Sequence, residues 1–267
     1  MIIPAPEDIA FSIFNIPIYW YGIILAIAIL ISILTANKLY SFVNTPQRKD
    51  IIIEYAPLII ILGILSARFY FCCLNPEYYF QHPFEILDIR EGGLSIHGGI
   101  IGGIIAVFII AKRNKIPFIS LIDAVACATS LGQAIGRWGN YFNSEAYGMP
   151  TISQTWGLFI PQAKRIHEYA NYELFHPTFL YESVLDFTAF TILCFIYFKF
   201  SKKYRGLTLY SYLIIYALIR YFIERIRIDS ALNIGSLPIA ELVSLILLTV
   251  GIIGIACVLK NYRKNNA

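Results

Sequence analysis

Long apolar runs separated by short polar stretches organise the sequence. Seven such runs occur, at residues 18–36, 51–74, 92–111, 116–135, 179–198, 206–223 and 237–259. A helix of about 20 residues crosses a hydrocarbon core, so each run is long enough to span a membrane. The runs are continuous, whereas a membrane barrel would show alternating segments about 10 residues long. The pattern therefore predicts an all-α integral membrane protein with seven transmembrane helices in a single polytopic domain, 1–267. The one long connection, 136–178, contains Gly, Pro, Asn, Trp and both signs of charge, and is expected to fold as a small external cap between the fourth and fifth helices. No repeat at a fixed period supports a solenoid or an inverted-repeat transporter.

Composition agrees with this reading. The chain is 58% hydrophobic and 14% charged, where soluble chains hold about a quarter charged residues. That excludes a soluble globular protein. The net charge of +4 is modest, and its distribution says more than its sum. Basic residues follow alternate runs: Lys38, Arg48 and Lys49, then Lys112, Arg113 and Lys115, then Lys199, Lys202, Lys203 and Arg205, then Lys260, Arg263 and Lys264. The opposite connections carry Glu7, Asp8, Glu77, Glu85, Asp88 and Glu91 against Arg90. Cytoplasmic loops collect Lys and Arg, so the N-terminus is expected outside and the C-terminus in the cytoplasm. No basic n-region precedes the first run and no convincing cleavage site follows it, so that run is expected to remain as a helix. Cys72, Cys73, Cys127, Cys194 and Cys257 form no CxxC pair and are read as core thiols. His82, His97, His167 and His176 have no ligand-like spacing, so no metal is expected.

Ionisable residues within apolar spans cost about 2.5–3.5 kcal/mol each on insertion scales, so each needs a partner or a task. The orientation assigns their depths. Arg68, His97, Glu182, Asp186, Arg220, Glu224 and Glu241 all fall in the outer half, with Arg137 and Asn140 at the same level and Tyr19, Trp20 and Tyr21 opening the first span. Only Glu54 and Asp123 lie toward the inner side. An ion pathway would place polar groups through the whole thickness, whereas an enzyme acting on a lipid headgroup needs them at one interface, and the second pattern is the one present. Arginines at this depth suit a phosphate, whose oxygens match the guanidinium fork. The competing readings are a transporter of anionic lipid or small anions, a non-catalytic assembly factor, and plain ion pairs that tie helices together.

Three local patterns sharpen the chemistry. Gly92-Gly93-Leu94-Ser95-Ile96-His97-Gly98-Gly99 sets a lone histidine between glycine pairs, where it could act as base, donor or anchor. Gly98, Gly99, Gly102 and Gly103 also suit close helix packing. The stretch from Gly136 to Gly148 is dense in donors and glycines just beyond a predicted helix. Arg220 and Glu224, spaced i, i+4, share a helical face and could pair.

The stretch Gly136-Arg137-Trp138-Gly139-Asn140-Tyr141-Phe142-Asn143-Ser144-Glu145-Ala146-Tyr147-Gly148 resembles the signature of the bacterial prolipoprotein diacylglyceryl transferases. The likeness continues in Tyr21-Gly22, Ser66-Ala67-Arg68, His97-Gly98-Gly99, His176-Pro177-Thr178 with Tyr181-Glu182, and Tyr216, Arg220 and Glu224, and so covers essentially the whole chain. The resemblance implies an enzyme of the bacterial cytoplasmic (inner) membrane with its site toward the outer leaflet. That enzyme would transfer the diacylglyceryl group of phosphatidylglycerol to the lipobox cysteine of a preprolipoprotein signal peptide, forming a thioether and releasing glycerol phosphate. The partners implied are these two substrates and membrane lipid, with no nucleic acid, no cofactor and no metal. Within it, Arg137 and Arg220 are the candidates for holding the phosphate, Asn140 and Tyr21 for orienting the headgroup, Glu224 for fixing Arg220, and His97 for the base. Arg68 and Tyr216 join the substrate-binding set, together with Glu145 and Gly148, whose expected part is to set the backbone of the signature. Asp123 is expected to serve helix packing.

Overall fold

A computed structural model of the chain describes residues 1–44, 49–88, 92–153, 155–228, 233–234 and 237–266. Arg48, Arg90 and Glu91 of the charge pattern lie outside the described residues. Nine helices occur among those described: α1 (Trp20–Asn44), α2 (Ile51–Glu54), α3 (Ala56–Leu74), α4 (Pro76–Gln81), α5 (Ile96–Arg113), α6 (Phe118–Asn143), α7 (Thr178–Phe200), α8 (Leu207–Glu224) and α9 (Ile239–Asn266). All but the short α2 and α4 are long and apolar enough to cross a membrane. The chain is a multi-pass membrane protein.

Three boundaries differ from the apolar runs, each for a physical reason. The second run is broken at Tyr55, because Pro57 in the first turn of α3 would clash with the carbonyl four residues back if the helix were continuous. The third run starts its helix only at Ile96, since Gly92 and Gly93 take φ of 90° and 70°. The fourth helix runs to Asn143, well past the end of its apolar run, and takes in Gly136, Arg137 and Asn140. Gly136 and Gly139 weaken the helix locally, but burial of Gly139 beneath the Tyr21 ring favours the helical path and lets packing override propensity.

Helix α6 is the axis of the bundle. Its buried face is built largely from Ala124, Ala126, Ala128, Ser130 and Ala134, small residues that let α1, α7 and α8 approach. A Cβ placed on Gly132 would lie 2.2 Å from Ser32 Oγ of α1. Asp123, 1% exposed, accepts the backbone N–H groups of Gly206 (2.7 Å) and Leu209 (2.8 Å). It thereby caps α8, whose own N-cap glycine has no side chain to do so. Helices α3 and α5 form a second unit in which Gly98 and Gly102 ride on α3: added Cβ atoms would meet the Ser66 and Leu62 carbonyl oxygens at 2.2 and 2.3 Å. This pair joins the others in an apolar core containing Ile52, Val107, Ile110, Leu121, Leu193 and Tyr197.

A cap covers the opposite end. Strand β1 (Ile2–Ile3) pairs in parallel with β4 (Gly157–Phe159), which pairs antiparallel with β5 (Leu174–Phe175). The N-terminus thus completes the sheet of the cap, a pairing across more than 150 positions that no local pattern announces. A hairpin of β2 (Ile9–Ile13) and β3 (Ile16–Tyr19) leads into α1, and a short hairpin of β6 (Asn233–Ile234) and β7 (Leu237–Pro238) precedes α9. The cap has its own core of Tyr147, Leu158, Ile160, Phe175 and Phe179. Along α6 and α7, the polar residues lie between the two apolar cores.

Candidate active site

Arg137 projects from the last turns of α6 toward α7, where Glu182 and Asp186 stand one turn apart. Its Nη2 lies 2.7 Å from Glu182 Oε2, and its Nε 3.7 Å from Asp186 Oδ2. Arg227, just beyond α8, brings Nη1 to 3.7 Å from Glu182 Oε1. Glu182 and Asp186 are 1% and 2% exposed. Burying a carboxylate costs several kcal/mol unless it is paired and hydrogen-bonded, and here the pairing is complete while the hydrogen bonding is not. Arg137 Nε, Glu182 Oε1 and Asp186 Oδ2 make no hydrogen bond among the described residues, since 3.7 Å is beyond hydrogen-bond distance. The cluster is held together by charge and keeps unused hydrogen-bonding capacity.

Helix α8 contributes a stripe at steps of four: Tyr212, Tyr216, Arg220 and Glu224. Arg220 Nη2 contacts Glu224 Oε2 at 2.6 Å, the i, i+4 pair that the spacing predicts. Tyr216 stacks on Tyr212 with ring centroids 5.9 Å apart, and the Tyr212 hydroxyl donates to Gln133 Oε1 of α6 at 3.2 Å. Asp186 and Arg137 are both close enough for their charges to act on the Tyr212 phenol. The stripe therefore runs into the same polar layer as Arg137.

The remaining signature residues brace the end of α6. Asn140 Nδ2 donates to Glu145 Oε1 at 2.8 Å, and the Glu145 N–H donates to the Asn140 carbonyl at 3.0 Å. The two residues are tied twice across the helix end, where Ser144 takes φ of 53° and an orphan carbonyl needs a donor. Tyr21 packs over Gly139, whose added Cβ would lie 2.9 Å from Tyr21 Cδ2, and its phenol feels the charges of Glu145 and Arg137. Gly148 is a crossing point. Its N–H donates to the His176 carbonyl at 2.9 Å, and a Cβ there would meet His176 and Ile226 side-chain carbons at 2.9 Å. The structure thus gives Gly148 a packing task and no open face of its own.

Two expected residues lie apart from this cluster, on the α3–α5 pair. Arg68 is 7% exposed. It donates through Nε to the Ile86 carbonyl (3.0 Å) and through Nη1 to those of Gly92 and Gly93 (both 3.1 Å), while Nη2 donates to the Glu85 carbonyl. Phe71 and Tyr79 flank its guanidinium at 5.9 and 5.2 Å. Four of its N–H groups are committed to the segment between α3 and α5, which Arg68 clasps. His97 is exposed on the first turn of α5, with its ring 6.0 Å from that of Tyr70. Among the described residues no hydrogen bond or ion pair ties it to the Arg137 cluster.

The sequence pattern singled out Glu182 and Asp186 by depth without giving them a role, and missed Arg227, Gln133 and Tyr212. Gln133 and Tyr212 carry no charge penalty that would flag them. Arg227 sits in a polar connection, and the signal that could have found it is the i, i+7 repeat of arginine after Arg220. No group of His, Cys, Asp and Glu suited to a metal occurs among the described residues.

Comparison with known proteins bears on this geometry. A family model described as "Prolipoprotein diacylglyceryl transferase" matches residues 8–257. The phosphatidylglycerol–prolipoprotein diacylglyceryl transferase of Acaryochloris marina is 42% identical over 94% of this chain and 90% of its own length. Proteins of the same name from Finegoldia magna and Clostridioides difficile are 40% and 39% identical, over 92% and 97% of this chain and 94% and 98% of theirs. The signature and most of the cap and bundle fall within residues 8–257, and the chain belongs to the prolipoprotein diacylglyceryl transferase family.

Proposed function

We propose that this protein transfers the diacylglyceryl group of phosphatidylglycerol to the lipobox cysteine thiol of a preprolipoprotein, the first step of lipoprotein maturation. The observation that carries the reading is the convergence of Arg137, its buried carboxylates, the Asn140–Glu145 brace and Tyr21 at one end of an apolar bundle, within a family whose named members act on these substrates. The thiolate sulfur bonds to the glycerol carbon as the carbon–oxygen bond to phosphate breaks, and the electron pair leaves with the phosphate oxygen. The developing charge on that oxygen needs fixed donors in a water-poor site, which Arg137 and Arg220 supply. A thiol with a reference pKa of about 8.5 is a weak nucleophile until deprotonated, and His97 is the candidate to take that proton as the α3–α5 pair meets the substrate.

The distribution of basic loops supports a cap outside the cytoplasm and a site toward the outer leaflet of a bacterial inner membrane. A transporter fits less well. The bundle interior toward the far end is the apolar core, and Asp123, on that side, is engaged in capping α8. The test is direct: purified protein, radiolabelled phosphatidylglycerol and a lipobox peptide should give thioether-linked lipid. Absence of that product from folded protein, with both substrates present, would sink the reading.

A further inference from the structure

Glu182 is one carboxylate between two guanidiniums that arrive on different elements. Arg137 comes from the end of α6. Arg227 comes from the segment after α8, which is fixed to the signature by the N–H of Met149 donating to the Ile226 carbonyl at 2.8 Å and by the bridge between Gly148 and Arg227. The two grips differ in reach: the Arg137 guanidinium lies 2.7 Å from Glu182 and that of Arg227 3.7 Å. Glu182 Oε1, the oxygen that faces Arg227, is buried and accepts no hydrogen bond among the described residues. Without this carboxylate the two guanidiniums would repel each other, and Arg137 would keep only the looser contact with Asp186.

We propose that Glu182 is a positioning residue that sets Arg137 and Arg227 side by side, so that Arg227 serves as a further cation on the phosphate held by Arg137. This rests on the transferase reading above. An incoming phosphodiester is an anion of the same charge as Glu182. It can draw on the guanidinium that Glu182 holds at the longer distance, while the closer ion pair with Arg137 keeps the geometry. Gly148 then has a functional reason for its packing, since the contacts that exclude a Cβ there are the ones that bring Arg227 to α7.

The test measures transfer and lipid binding in the full-length protein for Glu182→Gln, Glu182→Asp, Arg227→Ala and the double variant Glu182→Gln/Arg227→Ala, each normalised to monodisperse folded protein. Glu182→Gln should lower kcat/KM at least tenfold. Glu182→Asp, which restores the charge, should recover a substantial part of that loss, and it serves as the informative variant where Glu182→Gln folds poorly. In the Arg227→Ala background Glu182→Gln should cost less than in the wild type, because the two act as a unit. Equal cost in both backgrounds, or normal turnover per folded molecule in Glu182→Gln, overturns the proposal. Binding is read separately, as the thermal shift on adding phosphatidylglycerol to detergent micelles, with phosphatidylethanolamine as control. Glu182→Gln should need about tenfold more phosphatidylglycerol for half the shift. A wild-type protein that binds phosphatidylglycerol but transfers nothing defeats the transferase reading, and unchanged binding in Glu182→Gln then defeats the positioning role.

Discussion

Replacing Arg137 separates its electrostatic support of the fold from its use in chemistry. The side chain is 20% exposed and lies against carboxylates that are nearly fully buried. Arg137→Ala leaves Glu182 and Asp186 with much of their charge uncompensated. Removing one partner of a buried pair costs about 3–5 kcal/mol, a large share of the roughly 5–15 kcal/mol by which domains are stable. That variant should therefore lose folded yield and activity together and decide little. Arg137→Lys keeps the charge, so the fold should survive with a melting temperature a few degrees lower. A lysine ammonium is a point charge, and it cannot hold Glu182 at 2.7 Å and also present a second, coplanar donor on the side of Asp186. If that donor meets the phosphate oxygen in the transition state, turnover per folded molecule should fall roughly 100-fold, equivalent to about 2.7 kcal/mol. Transfer of labelled diacylglyceryl to a lipobox peptide, normalised to monodisperse protein, measures it. Normal specific activity in Arg137→Lys would refute the reasoning and reduce Arg137 to a structural ion pair.

Other expectations follow from the same geometry. Arg220→Lys should be damaging although it keeps the charge, and Glu224→Gln should impair turnover less than Arg220→Ala does; a Glu224→Gln variant worse than Arg220→Ala would contradict the support role. If His97 is the base, His97→Gln should retain lipid binding, lose turnover, and recover in part at raised pH where substrate thiolate is abundant; loss of binding without recovery marks an anchor instead. Asp123→Ala should leave the N-terminus of α8 uncapped and lower stability by about 0.5–2 kcal/mol, seen as a lower melting temperature with near-normal specific activity. For the orientation, cysteines introduced near Glu85 and Tyr172 in a cysteine-free background should react with an impermeant reagent in intact cells, and those near Lys49, Lys115 and Lys203 should not. The reverse pattern would invert the topology.

The seven spans were legible because a bilayer enforces a simple rule: about 20 apolar residues and every backbone group satisfied within the helix. The ends of the spans were less legible, because packing decides them. Hydropathy stops α6 at the glycines, but Gly139 is where Tyr21 needs room, so the helix continues and carries Arg137 and Asn140 with it. The cap sheet was invisible for a different reason. Ile2 and Ile3 pair with Gly157 and Leu158, and strands of two and three residues so far apart in sequence leave no periodicity to read.

The same limit explains what the ionisable residues did and did not reveal. Insertion cost flags a charged residue in a span but does not name its partner. Arg68 and Arg137 carry the same flag, yet their surroundings are opposite. Arg68 donates to four backbone carbonyls between two aromatic rings, a set of partners that only the folded loop can supply. Arg137 meets two carboxylates with its Nε left without a hydrogen bond among the described residues. Arg227 carries no flag at all, since a polar connection bears charge cheaply, and its place beside Glu182 comes from the backbone bond between Met149 and Ile226. What distinguishes an arginine with donor capacity left from one that clasps a loop is therefore the completeness of its hydrogen bonding. By that measure Arg137 keeps hydrogen-bonding capacity for a further partner, while Arg68 spends its donors on the loop that leads to His97.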